Sequence, residues 1–241
     1  MNYFGRFSRL LCVGAVLALA ASLVVAAPQT GSAKVTQVRG IAYLGSAPAN
    51  VGDEIPPGTM ISTGPASEVL LNFGANGGYA RILENTKLSI DELSVDKSGP
   101  EVVAKTKLIL KEGKLESQVN KLSSRSSYIV QTPTSTAAIR GTTFTTYANG
   151  AVLVFDGCVD VIVKDAVTGR EARFNVCANQ MFDPTIPGVV PIPAGVMPPS
   201  FGVAGAPPPF PIGPTVFVSP TTTQPVTTEP TPPEGPDSAK K

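Results

Sequence analysis

The chain has 241 residues, with 19 lysines and arginines against 18 acidic residues, so its net charge of +1 gives no global field to attract nucleic acid or a membrane surface. It contains no histidine and no tryptophan. That excludes histidine triads, imidazole metal sites and the usual general base near neutral pH, and it makes stacked aromatic platforms for sugars or single strands hard to build. No cofactor, no metal and no nucleic-acid partner is expected.

The first element is a leader. Arg6 and Arg9 precede an uncharged run from Leu10 to Val25, and the small residues Ala26 and Ala27 follow. Charged, apolar and small residues in that order make a secretory signal peptide over residues 1–27. The apolar run is shorter than the ~20 residues that span a bilayer, and no second run of that kind follows. The mature chain is therefore expected in the periplasm or outside the cell, without a transmembrane helix. Removing 27 leader residues and a 58-residue proline-rich tail leaves 156 residues, enough for one domain with a core.

That domain, residues 34–183, reads as all-β. Short β-branched and apolar runs are separated by glycine-containing turns, with almost no 3.6-residue periodicity. About a dozen strands result, spaced as in a short-strand β-sandwich or a solenoid-like stack of hairpins, and the pattern leaves both open. Turns are expected at Asn76-Gly77-Gly78, Glu112-Gly113, Asn149-Gly150 and Asp156-Gly157. Asn149-Gly150 reads as a type I′ pair that sets Phe144 against Phe155. Lys105 to Lys111 alternates, with Leu108 and Leu110 facing in and Lys105, Lys107 and Lys111 facing out. Ala151 to Phe155 is apolar on both alternating faces, which places it at the centre, with Val159, Ile162 and Val163 continuing that centre.

Cys158 and Cys177 remain after leader removal, in a chain bound for an oxidising space. If Cys158–Asp165 pairs with Arg170–Cys177 around a loop at 166–169, the two sulfurs lie directly opposite. A disulfide is expected there, with two buried free thiols as the alternative.

After Asp183 the composition changes. Residues 184–241 hold 17 of the 24 prolines and read as an extended tail. Its first part, 184–218, mixes proline with Val, Ile and Phe and can lie along the domain as polyproline II. Its last part, 219–241, reads as a solvated spacer.

The most distinctive stretch runs from Thr132 to Phe144, with Arg140 alone in a neutral run from Ser126 to Phe155. Its donor fork calls for a partner, either a carboxylate such as Asp156 or Asp160 or backbone carbonyls, and Gly141 beside it allows a close backbone approach. Ala138-Ile139-Arg140-Gly141-Thr142-Thr143-Phe144 resembles the A-x-R-G-T-x-F signature of the FecR domain family. Val38 to Ala42, Gly58 to Gly64, Ser67 to Phe73, Asn85 to Leu88 and Phe155 to Val159 resemble its other elements. The resemblance spans roughly residues 35 to 180 and implies an extracytoplasmic, non-catalytic interaction module. It marks Ile139, Arg140, Gly141, Thr142 and Phe144 as the motif residues. Family members include transmembrane iron-transport regulators, and with no apolar run of spanning length after the leader a direct transmembrane role of that kind is not expected here.

A second candidate is the basic region 101–125, with six lysines and arginines against three glutamates. Read as a hairpin turning at Glu112-Gly113, residues 105–125 place Lys111 opposite Lys114 and offer Lys105, Lys107, Lys111 and Lys114 as a binding face for an anionic glycopolymer. An enzyme would need paired carboxylates. Asp91-Glu92 and Asp156 with Asp160 are the available pairs, and neither has other support. The expected function is protein binding or a structural role in a bacterial cell envelope, through a partner that the sequence does not name.

Overall fold

The structure is a computed structural model that describes residues 29–74, 77–164 and 169–201. The leader, Asn76, most of the 166–169 loop and the tail beyond Phe201 lie outside the described residues. Two β-sheets face each other, and the described residues form nineteen strands rather than about a dozen, because several runs break at corners. Among the described residues there is no helix long and apolar enough to cross a membrane.

Sheet A runs in the order β17 (Glu171–Cys177), β16 (Cys158–Lys164), β13 (Ser135–Ile139), β12 (Ser127–Gln131), β10 (Val103–Glu112), β9 (Lys87–Asp96), β6 (Met60–Thr63), β3 (Ala42–Leu44) and β4 (Ala47–Pro48), with β1 (Gln29–Thr30) also on β9. Sheet B runs β19 (Val189–Pro191), β18 (Gln180–Phe182), β15 (Val152–Asp156), β14 (Thr143–Tyr147), β11 (Lys114–Gln118), β8 (Tyr79–Ile82), β7 (Glu68–Asn72), β2 (Ala33–Arg39) and β5 (Glu54–Ile55). Hairpins alternate between the sheets. β9 and β10 pair in sheet A, β14 and β15 in sheet B, β16 and β17 in sheet A again. Between hairpins the chain turns a corner into the opposite sheet, so the described residues form a sandwich built as a stack of bent hairpins.

Alternation fills the space between the sheets. Leu71, Ile82, Leu88, Leu108, Phe144 and Val154 are all fully buried there, each side chain contributing about 1.5–3 kcal/mol relative to exposure. Phe73 and Tyr128 meet edge to face with ring centroids 6.2 Å apart. Tyr128 Oη, Ser117 Oγ and Thr146 Oγ1 are buried in this layer, and none makes a hydrogen bond of good geometry, although the Ser117 hydroxyl lies close enough to the phenol to act on it. Burial pushes the Tyr128 phenol well above its ordinary value, with the neighbouring Ser117 hydroxyl offsetting only part of the rise.

Several expectations change. Glu112-Gly113 is not a hairpin turn, because β10 lies in sheet A and β11 in sheet B. β10 pairs instead with β9 and, in parallel, with β12, so Lys111 and Lys114 do not face each other. Asp156-Gly157 is likewise a corner between sheets. At Asn149-Gly150 the loop closes through Tyr147 N–H donating to Ala151 O and Gly150 N–H donating to Tyr147 O, both at 2.9 Å. Only Gly150 takes a positive φ, of 95°, so the turn is a three-residue loop rather than type I′. A register shift follows between Thr143 and Phe144, and Phe144 faces Val154, not Phe155. Val159 and Val161 are buried, whereas Ile162 and Val163 are half-buried.

The bridge expectation is met. Cys158 pairs with Cys177 in the ladder of β16 and β17, and the two form a disulfide. The chain past Asp183 does not leave the domain at once. β19 pairs antiparallel with β18, so proline-rich sequence contributes a strand where a tail starting at residue 184 was expected.

Candidate functional site

The signature residues build a corner. Ile139 ends β13 in the core, and Phe144 is fully buried on β14. Between them Gly141 carries the chain from sheet A to sheet B with φ of 73°, and a Cβ there would meet Lys121 Cα at 2.9 Å. Thr142 fixes the bend. Its N–H donates to Val119 O at 3.1 Å, its carbonyl accepts from Val119 N at 2.9 Å, and its hydroxyl donates to Cys158 O at 3.0 Å. Gly157 turns the next corner, where a Cβ would lie 2.7 Å from Gly141 O. Corners therefore stack on one another, and small residues are needed wherever backbones touch.

Arg140 departs from expectation. It is exposed, and it forms no ion pair or hydrogen bond among the described residues. Neither expected carboxylate pairs with it, and Asp156 and Asp160 fall in different sheets on opposite sides of the Gly157 corner. Asp160 accepts instead from Asn175 Nδ2 at 2.7 Å. The other acidic pair sits at a β-bulge in β9, which leaves both Asp91 and Glu92 exposed, and Asp91 pairs with Lys107 at 2.8 Å.

The basic face is divided. Lys105, Lys107 and Lys111 share the outward side of β10, as the alternation predicts, but Lys114 belongs to the other sheet. Its ammonium pairs with Glu116 at 3.0 Å and lies 5.6 Å from the Tyr147 ring centroid. Four lysines on one surface is therefore a reading the topology overturns.

The outer face of sheet B holds features the sequence reading missed. Its cross-strand register brings Leu70, Arg81, Glu116, Thr145 and Leu153 into one row. On a solvent-facing sheet surface these would be wet, yet Arg81 is only 4% exposed, and Leu70, Thr145 and Leu153 are buried as well. Described chain crosses this face. From Ile192, whose N–H donates to Asn179 O at 3.0 Å, residues 192–201 run back from β18 to β8. Four inter-strand steps amount to about 19 Å, within reach of this extended stretch at about 3.1 Å per residue. At its end Arg81 Nη2 donates to the Ser200 carbonyl, and the guanidinium lies 5.3 Å from the Phe201 ring centroid. Glu116 holds Arg81 from the other side at 3.5 Å. The middle of this strap is loosely seated, with Met197 82% exposed.

Beside the strap, one row nearer the corners, an open groove of about 570 Å³ is lined by Arg39, Glu68, Leu83, Lys114 and Tyr147, with Glu84 in its wall. A sequence signal for this covered face existed. Val69, Leu70 and Leu71 are consecutive apolar residues, the same two-sided pattern read in β15, and Arg81 stands between Ala80 and Ile82 in an apolar strand.

Residues 59–160 match the family model described as FecR protein. The matched span runs from the residue before β6 into β16 and contains the corner residues Thr63, Gly64, Gly113, Gly141 and Thr142. No curated protein and no solved structure matches the chain.

Proposed function

We propose that the FecR-family domain carried by this chain is a non-catalytic, extracytoplasmic protein-binding module of a bacterial cell envelope, working as an adaptor in signalling. The family match supports a signalling or regulatory role. The observation that carries the binding reading is the outer face of sheet B, where buried Arg81, held by half-buried Glu116, clamps a crossing segment of chain. A surface that holds one extended segment through a backbone carbonyl and an aromatic ring, both on a guanidinium fixed by an ion pair within the sheet, has the chemistry of peptide recognition. The signature residues, by contrast, are spent on the corner, which fits a motif that specifies the scaffold rather than a reaction. The leader supports export, and the absence of histidine supports a non-catalytic role.

The glycopolymer reading has less support, because Lys107 is tied to Asp91 and Lys114 lies on the other sheet. Crosslinking of the tagged chain in cells, followed by mass spectrometry, tests the proposal. A discrete envelope protein is the expected capture. Recovery of wall polymer, of copies of the chain itself, or of nothing would overturn it.

A further inference from the structure

The geometry points to the groove beside the strap as a docking site for an extended protein segment that places a lysine or arginine side chain on Glu68. This rests on the protein-binding reading above and names the surface and the chemistry of the partner.

Five strands supply the floor in cross-strand register. Arg39 of β2 faces Glu68 of β7, Leu83 follows β8 and donates its N–H to Lys114 O at 3.2 Å, and Lys114 of β11 faces Tyr147 of β14. From Arg39 to Tyr147 this is four inter-strand steps, about 19 Å, the length of about six extended residues. The adjacent row already carries a segment crossing the strands in the same manner, residues 192–201, so this face admits chain laid across it.

Charge decides the partner. Lys114 is paired with Glu116 and stands over the Tyr147 ring. Glu84 accepts from Ala66 N at 2.8 Å through Oε2, and Arg39 is engaged elsewhere. Glu68 differs. It is only 9% exposed, and no hydrogen bond or ion pair reaches its carboxylate among the described residues. Its oxygens are not sealed in the core, since the fully enclosed unpaired atoms are those of Ser117, Tyr128 and Thr146. An unpaired carboxylate on a side chain of low exposure that opens to a groove is favoured by an incoming cation. Leu83 beside it offers apolar surface to the methylenes of a lysine or arginine stem.

The test titrates the full mature chain, isotope-labelled, with acetylated and amidated hexapeptides of alanine carrying one lysine, one arginine, one norleucine or one glutamate, read by amide NMR shifts. The lysine and arginine peptides are expected to move Ser67, Glu68, Leu83 and Gly113, the norleucine and glutamate peptides to bind at least about tenfold more weakly, and Glu68→Gln to lose about tenfold or more for the cationic peptides with its melting transition unchanged. Equal binding of the norleucine peptide, shifts elsewhere on the surface, or full affinity in Glu68→Gln would overturn the inference. Crosslinking in cells separates it from the broader reading. Equal capture of the same protein by wild type and Glu68→Gln refutes the groove and leaves the module standing, whereas no protein capture by wild type refutes the module.

Discussion

The corner account makes a paired prediction about two neighbours in the signature. Gly141→Ala places a Cβ 2.9 Å from Lys121 Cα and 3.3 Å from Lys121 N, both backbone atoms that no rotamer change can move. It also forces alanine to φ of 73°, which costs a non-glycine residue about 1–2 kcal/mol. Overpacking against fixed backbone adds about 1–3 kcal/mol, so a loss of about 2–5 kcal/mol is expected, a large part of the roughly 5–15 kcal/mol that holds a domain together. Arg140→Ala removes an exposed side chain with no partner among the described residues, and its effect should stay within about 0.5 kcal/mol. Urea unfolding of the two variants reads both. With a slope of about 2 kcal/mol per molar, Gly141→Ala lowers the midpoint by about 1–2.5 M and Arg140→Ala by less than about 0.3 M. A midpoint loss for Arg140→Ala equal to that of Gly141→Ala would refute the claim that the signature encodes the bend rather than an arginine contact.

Other variants probe the rest of the fold. Arg81→Ala should release the strap, raising amide exchange at the hydrogen-bonded Ile192 and Val196 by about tenfold or more while the sheet amides keep their protection; unchanged exchange at both would contradict the clamp. Replacing Cys158 and Cys177 together by alanine opens a link across 19 residues and should cost about 3 kcal/mol in urea unfolding on chain-entropy grounds, with a neutral result contradicting a stabilising bridge. Tyr128→Phe deletes a buried hydroxyl that makes no hydrogen bond of good geometry and should leave stability unchanged or raise it by about 1 kcal/mol, whereas a loss beyond about 1.5 kcal/mol would mean the hydroxyl is hydrogen-bonded after all. The same substitution has a pH signature. Burial raises the Tyr128 pKa in the fold, so the phenol's contribution is fully present below the unfolded value of about 10 and falls away as pH rises above it, and Tyr128→Phe should flatten that alkaline decline.

What could be read from the sequence was whatever follows from strand periodicity. Alternation in Lys105 to Lys111 put Leu108 and Leu110 inside, and loop arithmetic brought Cys158 opposite Cys177. What could not be read was which sheet receives the next strand. Glycine between two β runs is compatible with a hairpin and with a corner alike, since both need a tight bend. The choice depends on what the backbone packs against, Thr86 below Gly113 or Lys121 below Gly141. That single ambiguity turned β10 and β11 into an expected hairpin and gathered four lysines onto one face. The site was hidden for a related reason. Arg81 is an ordinary outward residue of a short strand until Ser200 and Phe201, more than a hundred positions along the chain, arrive on top of it, and local sequence carries no information about that cover.

The most direct measurement is site-specific photocrosslinking in cells, with a photoreactive residue placed in turn at Leu83 and Tyr147 in the groove of sheet B and at Lys105 on the outer face of sheet A. The account predicts one discrete protein adduct from both groove positions and none of that mass from Lys105, with the adduct lost in a Glu68→Gln background. Adducts of the same mass from all three positions, or adducts from Lys105 alone, would contradict the assignment of sheet B as the binding face.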